Sequence, residues 1–307
     1  MALSEKRKGE LYIFSAATLG GFLPIGIALT YAQVSSFVSL AWSTLFAAVF
    51  FAFVITYRGR WNELRNPLLW KYSVFITLFI GILFYGFYFS GLEYSTPGNV
   101  SIIILFQICT SFVFFNIYRK ESILPAHILG AALMIVGALI ILGRDFGGIN
   151  VGDVLILCAT FFAPFGNYFQ QEARKIASSD SIMFLRSALS AIALFAFLYL
   201  FSVGGATNGV WAALPLLLLN GIVFLGFEKM LWIEGIHRVS VTKATALVSI
   251  TPLVTLLLAW IILHQLPNMW QLASLVPLIL GVLFLTDHLK FRTLRKMKNG
   301  VSSHLLR

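Results

Sequence analysis

The sequence predicts an all-α membrane protein of ten transmembrane helices, and three observations carry that expectation. Apolar residues make up 59% of the chain and charged residues 11%, whereas a soluble domain carries about 25% charged and about 45–50% apolar residues. Apolar runs of about 20 residues, the length that crosses about 30 Å of hydrocarbon as a helix, recur ten times. The basic residues gather in the connectors of one side only, which is a topology signal. Twenty-nine Phe, seven Trp and ten Tyr exclude disorder, and two cysteines, Cys109 and Cys158, exclude a disulfide scaffold. Both lie in apolar runs and read as buried thiols.

In chain order the spans are 11–32, 35–57, 70–92, 97–118, 124–142, 151–171, 181–203, 211–233, 241–263 and 268–287. In lipid every backbone group must be paired internally, so each run is a helix. The first carries Gly20, Gly21 and Pro24 at its centre, and the second runs without a breaker. The third holds Tyr85 and Tyr88 and ends near Gly91; Thr96-Pro97-Gly98 then opens the fourth, which holds Gln107. Gly130 and Gly137 punctuate the fifth, and Gly147-Gly148-Ile149-Asn150 separates the halves. The sixth carries Pro164, Gly166 and Asn167; the seventh carries Arg186 and ends in the glycine-rich 204–209 turn. Glu228, Lys229 and Trp232 lie on the eighth, Ser249 and Pro252 on the ninth, and Gly281 on the tenth.

Lys6 to Lys8, Arg58 to Arg65, Arg119 and Lys120, Arg174 and Lys175, Arg238 and the tail after Asp287 fall on one side, whereas the other side holds Arg144 alone. This places both termini in the cytoplasm of a multi-pass membrane protein. The net charge of +10 therefore follows from topology, and nucleic acid is not a partner. No early apolar stretch has the form of a cleaved signal peptide.

Candidate site residues follow from helix geometry. Gly21, Pro24 and Pro164 interrupt the first and sixth helices at corresponding places, and interrupted helices free backbone groups for a ligand near the bilayer midplane. Thr160, Pro164, Asn167 and Gln171 share one stripe, as do Thr242, Thr245, Ser249 and Pro252. Gln107, Tyr85 and Tyr88 point to the same interior, with an interfacial aromatic belt as the alternative for the tyrosines. Either stripe equally serves as hydrogen-bond glue between helices. Arg186, Glu228 and Lys229 are the charges placed well inside spans, where an ion costs about 2.5–3.5 kcal/mol on insertion scales. Neighbouring helical positions diverge by about 100°, so Glu228 and Lys229 are not expected to pair with each other. Glu228 shares a stripe with Gly221, Leu225 and Trp232 and is the candidate proton or cation site; a structural ion pair with Arg186 is the alternative.

Five spans precede the central loop and five follow it, so the halves have opposite orientation. Residues 91–142 set against 235–286 align Gly91 with Gly235 and Gly137 with Gly281. The pattern resembles the EamA-type members of the drug/metabolite transporter superfamily. The resemblance rests on the helix between Gly91 and Lys120-Glu121-Ser122, on Gly130-Ala131-Ala132-Leu133 and Gly137, on Phe184-Leu185-Arg186-Ser187-Ala188-Leu189, on Ser249-Ile250-Thr251-Pro252-Leu253-Val254, and on Gly235 and Gly281. Ile108 departs from the family pattern in the fourth helix, Gln265 after the ninth, and Trp42 in the second.

The resemblance implies a single membrane domain of two inverted five-helix repeats, 11–142 and 151–287, with a basic cytoplasmic tail at 288–307, in the inner membrane of a bacterium. It implies a secondary active transporter, an exporter of a small organic metabolite such as an amino acid or nucleobase, working by alternating access with proton coupling or exchange. Partners are the solute and the bilayer, as a monomer or homodimer. No cofactor is expected, since neither a Walker A loop nor a metal-ligand spacing among the histidines is present. The second class is a membrane-embedded enzyme acting on a lipid or lipid-linked substrate; no nucleophile with a base in view supports it.

Overall fold

A computed structural model describes residues 5–119, 124–143, 150–201, 209–236, 238–239 and 247–285. Thr242, Thr245, Arg144 and the 288–307 tail lie outside the described residues. Among those described, eight helices are long and apolar enough to cross a membrane: α1 (Glu5–Thr30), α2 (Ser36–Arg58), α3 (Pro67–Glu93), α4 (Pro97–Asn116), α5 (Pro125–Leu142), α6 (Val151–Arg174), α7 (Ser179–Leu200) and α8 (Val210–Gly235). Two shorter apolar helices follow, α9 (Thr251–Leu263) and α10 (Met269–Leu285). Strands are absent from the described residues. Large apolar side chains such as Phe53, Ile192 and Trp211 cover the outside, a surface suited to lipid.

Local chemistry sets the helix ends. Asn66, Thr96, Asn150 and Ser178 accept hydrogen bonds from the amides of Leu68, Asn99, Asp153 and Ser181, capping α3, α4, α6 and α7. Proline occupies the first turn of α3, α4, α5 and α9, where its missing N–H has no helical partner to lose. Gly59 (φ 64°) closes α2 in the left-handed conformation.

Packing follows a simple rule. α5 lies along α10, α2 along α7, and α4 meets α9; α1 packs on α8 and α9, as α6 packs on α3 and α4; α2 meets α8 as α7 meets α3. Moving every helix number by five maps this set onto itself, so the halves exchange as two copies of one unit.

Three irregularities are paired in the same way, whereas Pro215 inside α8 and Pro277 inside α10 have no internal proline opposite them in α3 and α5. Pro24 and Pro164 lie inside α1 and α6. π-helical turns occupy Thr77–Phe84 of α3 and Leu219–Phe227 of α8. A 3₁₀ turn at Ile104–Phe106 interrupts α4, and a turn at Ser249 and Ile250 precedes α9. This corrects the continuous ninth span: Pro252 has no N–H to donate to the Val248 carbonyl and its ring crowds that preceding turn, so the regular helix starts at Thr251. Ser249 therefore stands in the turn, and Ser249 and Pro252 do not share a helical stripe.

Candidate functional site

α2, α3, α7 and α8, two pairs of counterpart helices, surround a small internal space. Thr44 and Ala47 line it from α2, Gly81 and Tyr85 from α3, Arg186, Ser187 and Ser190 from α7, and Leu225 from α8. Its volume is about 10 Å³, the lower limit for one water molecule. Arg186 is 5% exposed, and its guanidinium carbon lies 5.8 Å from the centre of the Tyr85 ring. Among the described residues no carboxylate approaches the guanidinium within 4.0 Å, and the Ser190 hydroxyl beside it has no hydrogen-bond partner.

Glu228 and Lys229 lie one turn away, immediately after the π segment of α8. Their side chains meet, with Lys229 Nζ 2.7 Å from Glu228 Oε2. The expectation that they would not pair is thereby corrected: the four-carbon lysine stem bridges the angle between neighbouring positions. The contact is a close charge pair outside hydrogen-bond geometry, because Glu228 Oε2 has no aligned donor. On its other side Glu228 faces α1, where a β-carbon on Gly20 would stand 3.9 Å from Oε1. Glu228 follows Leu225 by three residues on α8, and Leu225 lines the space that Arg186 also borders. Tyr88 is buried, with its ring 6.4 Å from that of Tyr85.

The other expected positions divide. Gly21 is a packing position: its carbonyl accepts a 3.0 Å hydrogen bond from Thr255, and a β-carbon there would meet Val254 of α9. Pro24 and Pro164 are buried in their helices. The glycines following them, Gly26 and Gly166, lie against the π segments, at Phe224 of α8 and Ile80 of α3. Gln107 and Asn167 are half-buried. Gln171 is exposed, which corrects the interior stripe on α6. Phe169 turns α6 toward α3 by stacking on Phe75 at 4.6 Å, and two residues further along a side chain points about 200° away. Trp232 packs into a separate cluster with Phe51, Met183 and Ile233, away from Tyr85. Ser249 is buried in its turn.

Two polar networks at opposite ends were not legible in advance. At the arginine-rich end, Arg58 and Arg60 both donate to Asp180 Oδ2 at 2.9 Å, tying α2 to α7. Arg238 joins Glu234 of α8 (2.8 Å) to Glu5 of α1 (3.1 Å). The Ser178 amide donates to Glu63 at 2.7 Å. Burial alone would raise the Glu63 pKa, but that amide, the Ser178 and Ser181 hydroxyls and Arg60 hold the carboxylate below its ordinary range. At the other end, Asp153 of α6, 1% exposed, accepts from Ser95 and Asn99, and Gln271 of α10 donates to Asn99 Oδ1 at 2.7 Å. In sequence, Asp153 and Asp180 look like ordinary first-turn acids of capped helices, which hides their burial between helices.

With this geometry in hand, comparison with known proteins is direct. The EamA-like transporter family matches twice, over residues 7–143 and 150–287, one match to each half. The chain belongs to that family. Relatives include two proteins of Bacillus subtilis (strain 168): the uncharacterized transporter YyaM, 24% identical over 259 residues (80% of this chain, 82% of the relative), and the uncharacterized transporter YoaV, 20% identical over 199 residues (64% and 68%). A solved crystal structure, 18% identical, covers 93% of this chain and 99% of its own with a TM-score of 0.67, a likeness of fold.

Proposed function

We propose that the chain is a secondary active transporter that moves a small organic metabolite across the cytoplasmic membrane by alternating access. The reading takes α1 to α10 as ten spans in two inverted five-helix repeats, with the arginine-rich end in the cytoplasm. The observation that carries it is the small internal space walled by helices of both halves, with the Asp180 network at one end of the helices and the Asp153 network at the other. Separating α2 from α7 at the Asp180 end would admit solute from the cytoplasm, and separating α4, α6 and α10 at the Asp153 end would release it outside, so export needs only that the two openings alternate. Glu228, buried between Lys229, Gly20 and the Arg186 site, is the group proposed to bind and release the coupling proton. The transporter names of the relatives support this over an enzyme reading.

Liposomes carrying the purified protein should exchange or accumulate a small metabolite that is recovered chemically unchanged. Side-chain-dependent conversion of the solute, with no flux, would establish a membrane enzyme instead.

A further inference from the structure

Within the transport reading, the chemical class of the solute can be narrowed. We infer that Arg186 is the anchor for the carboxylate group of a small organic acid or amino acid, which docks in the space between α2, α3, α7 and α8.

Four observations converge on this. Arg186 is buried in the first half of α7, with no carboxylate in ion-pair contact among the described residues, and a charge inside a span faces a partner or a cavity. Glu228, one turn beyond Leu225 on the wall of the same space, is already held by Lys229 at 2.7 Å, so among the described residues Arg186, Lys229 and Glu228 together leave one positive charge without a partner. The guanidinium borders an internal space rather than packed side chains, and the unpartnered Ser190 hydroxyl borders the same space. Arg186 and Ser190 are four residues apart on α7 and so present on one face: a planar fork of donors with a hydroxyl one turn away. That combination matches the two oxygens of a carboxylate. Tyr85, stacked near the guanidinium at 5.8 Å, bounds the space with an aromatic face that fits an apolar substituent on the acid. The space is contracted to about one water in the conformation described, so binding must part α3 from α7. Gly81, which lies directly against Ser190, is where the two helices touch most closely.

The inference is tested on the full chain in lipid nanodiscs, by the thermal shift produced by paired compounds: acetate and acetamide, phenylacetate and phenylacetamide, phenylalanine and phenylalaninamide, with phenyl phosphate as a separate arm. At least one carboxylate is expected to raise the unfolding temperature while its amide does not. Arg186→Gln should lower the affinity obtained from the concentration dependence of that shift about 30-fold or more, the scale of removing one partner of a buried charged contact. Arg186→Lys should retain part of it, and Ser190→Ala, which keeps the charge and disturbs packing least, should weaken it severalfold. Equal stabilisation by acid and amide, a response to phenyl phosphate alone, no response to any carboxylate, or an undiminished response in both Arg186→Gln and Ser190→Ala overturns the assignment. Flux separates this from the transport reading. Carboxylate binding without movement across liposomes leaves the anchor and removes transport, whereas movement of neutral solutes alone leaves transport and removes the anchor.

Discussion

Gly130 and Gly281 face each other across the α5–α10 seam with no room for a side chain on either. A β-carbon on Gly130 would stand 2.9 Å from the Gly281 carbonyl oxygen, and one on Gly281 would stand 2.7 Å from the Gly130 carbonyl oxygen. The obstacles are backbone atoms, which cannot rotate aside. Close approach of this kind is how helices associate in lipid, where no hydrophobic force drives them together. Gly281→Val should therefore destabilise the protein by about 1–3 kcal/mol, the cost of overpacking. A lower unfolding temperature in detergent checks this; an unchanged one would show that the two helices separate freely.

Topology gives the second prediction. In a background without Cys109 and Cys158, single cysteines at Gln33 and Leu266 should react with an impermeant thiol reagent added to intact cells, and those at Asn62 and Lys175 should react only after permeabilisation. All four positions are exposed. Labelling of Asn62→Cys in intact cells would reverse the proposed orientation.

The third concerns coupling. Glu228→Gln keeps the size of the side chain but cannot titrate, so a pH gradient should no longer drive accumulation while solute exchange continues. If Glu228 serves only to neutralise Lys229, the variant will be poorly made because an ammonium is left unpaired in the membrane, yet each folded molecule will remain pH-coupled. Expression level and the pH dependence of flux per molecule, measured together, separate the two outcomes.

The fourth concerns the arginine-rich end. Asp180 is 2% exposed and pairs with both Arg58 and Arg60. Asp180→Asn removes the charge that binds α2 to α7, and cysteine reactivity at the inner end of α7 should rise as this end opens. Glu63 adds a pH term to the same contact. Its folded pKa is lowered, so its contribution is fully present above the unfolded value of 4.5 and is lost as the pH falls through the lower folded value. Acidification below about 4.5 should loosen the Ser178 contact, and Glu63→Gln should remove that part of the acid sensitivity. The unfolding temperatures of the parent protein and of Glu63→Gln, compared from pH 7 to 3.5, report it.

Much of the architecture was written in the pattern of apolar runs and glycines. The spans follow from the thickness of a bilayer, the two-unit organisation is reflected in the placing of Gly137 and Gly281, and Pro24 and Pro164 marked one pair of matched irregularities. The other two pairs were hidden. A π turn leaves no residue signature in Thr77–Phe84 or Leu219–Phe227, which read as uninterrupted apolar helix. The α9 start is legible in Pro252, which cannot donate to the Val248 carbonyl, but helical spacing places Ser249 within the helix. At the site, periodicity reports which residues share a face and not which neighbour that face meets. Periodicity therefore places Gln171 inward, and it does not set Ser190, one more small polar residue in an apolar run, apart from its neighbours. Asp153 and Asp180 were masked by their capping positions.

The paired π turns of α3 and α8 give the molecule a store of slack. A π turn holds roughly one residue more than an α turn, and drawing that residue back into regular helix advances everything beyond it by one position, a swing of about 100° with a 1.5 Å slide. Tyr85 and Glu228 are the first residues beyond the two segments. A screw motion confined to eight or nine residues of either helix would thus re-aim the ring that bounds the space or the carboxylate beside it, while the opposite halves of α3 and α8 stay seated against their neighbours.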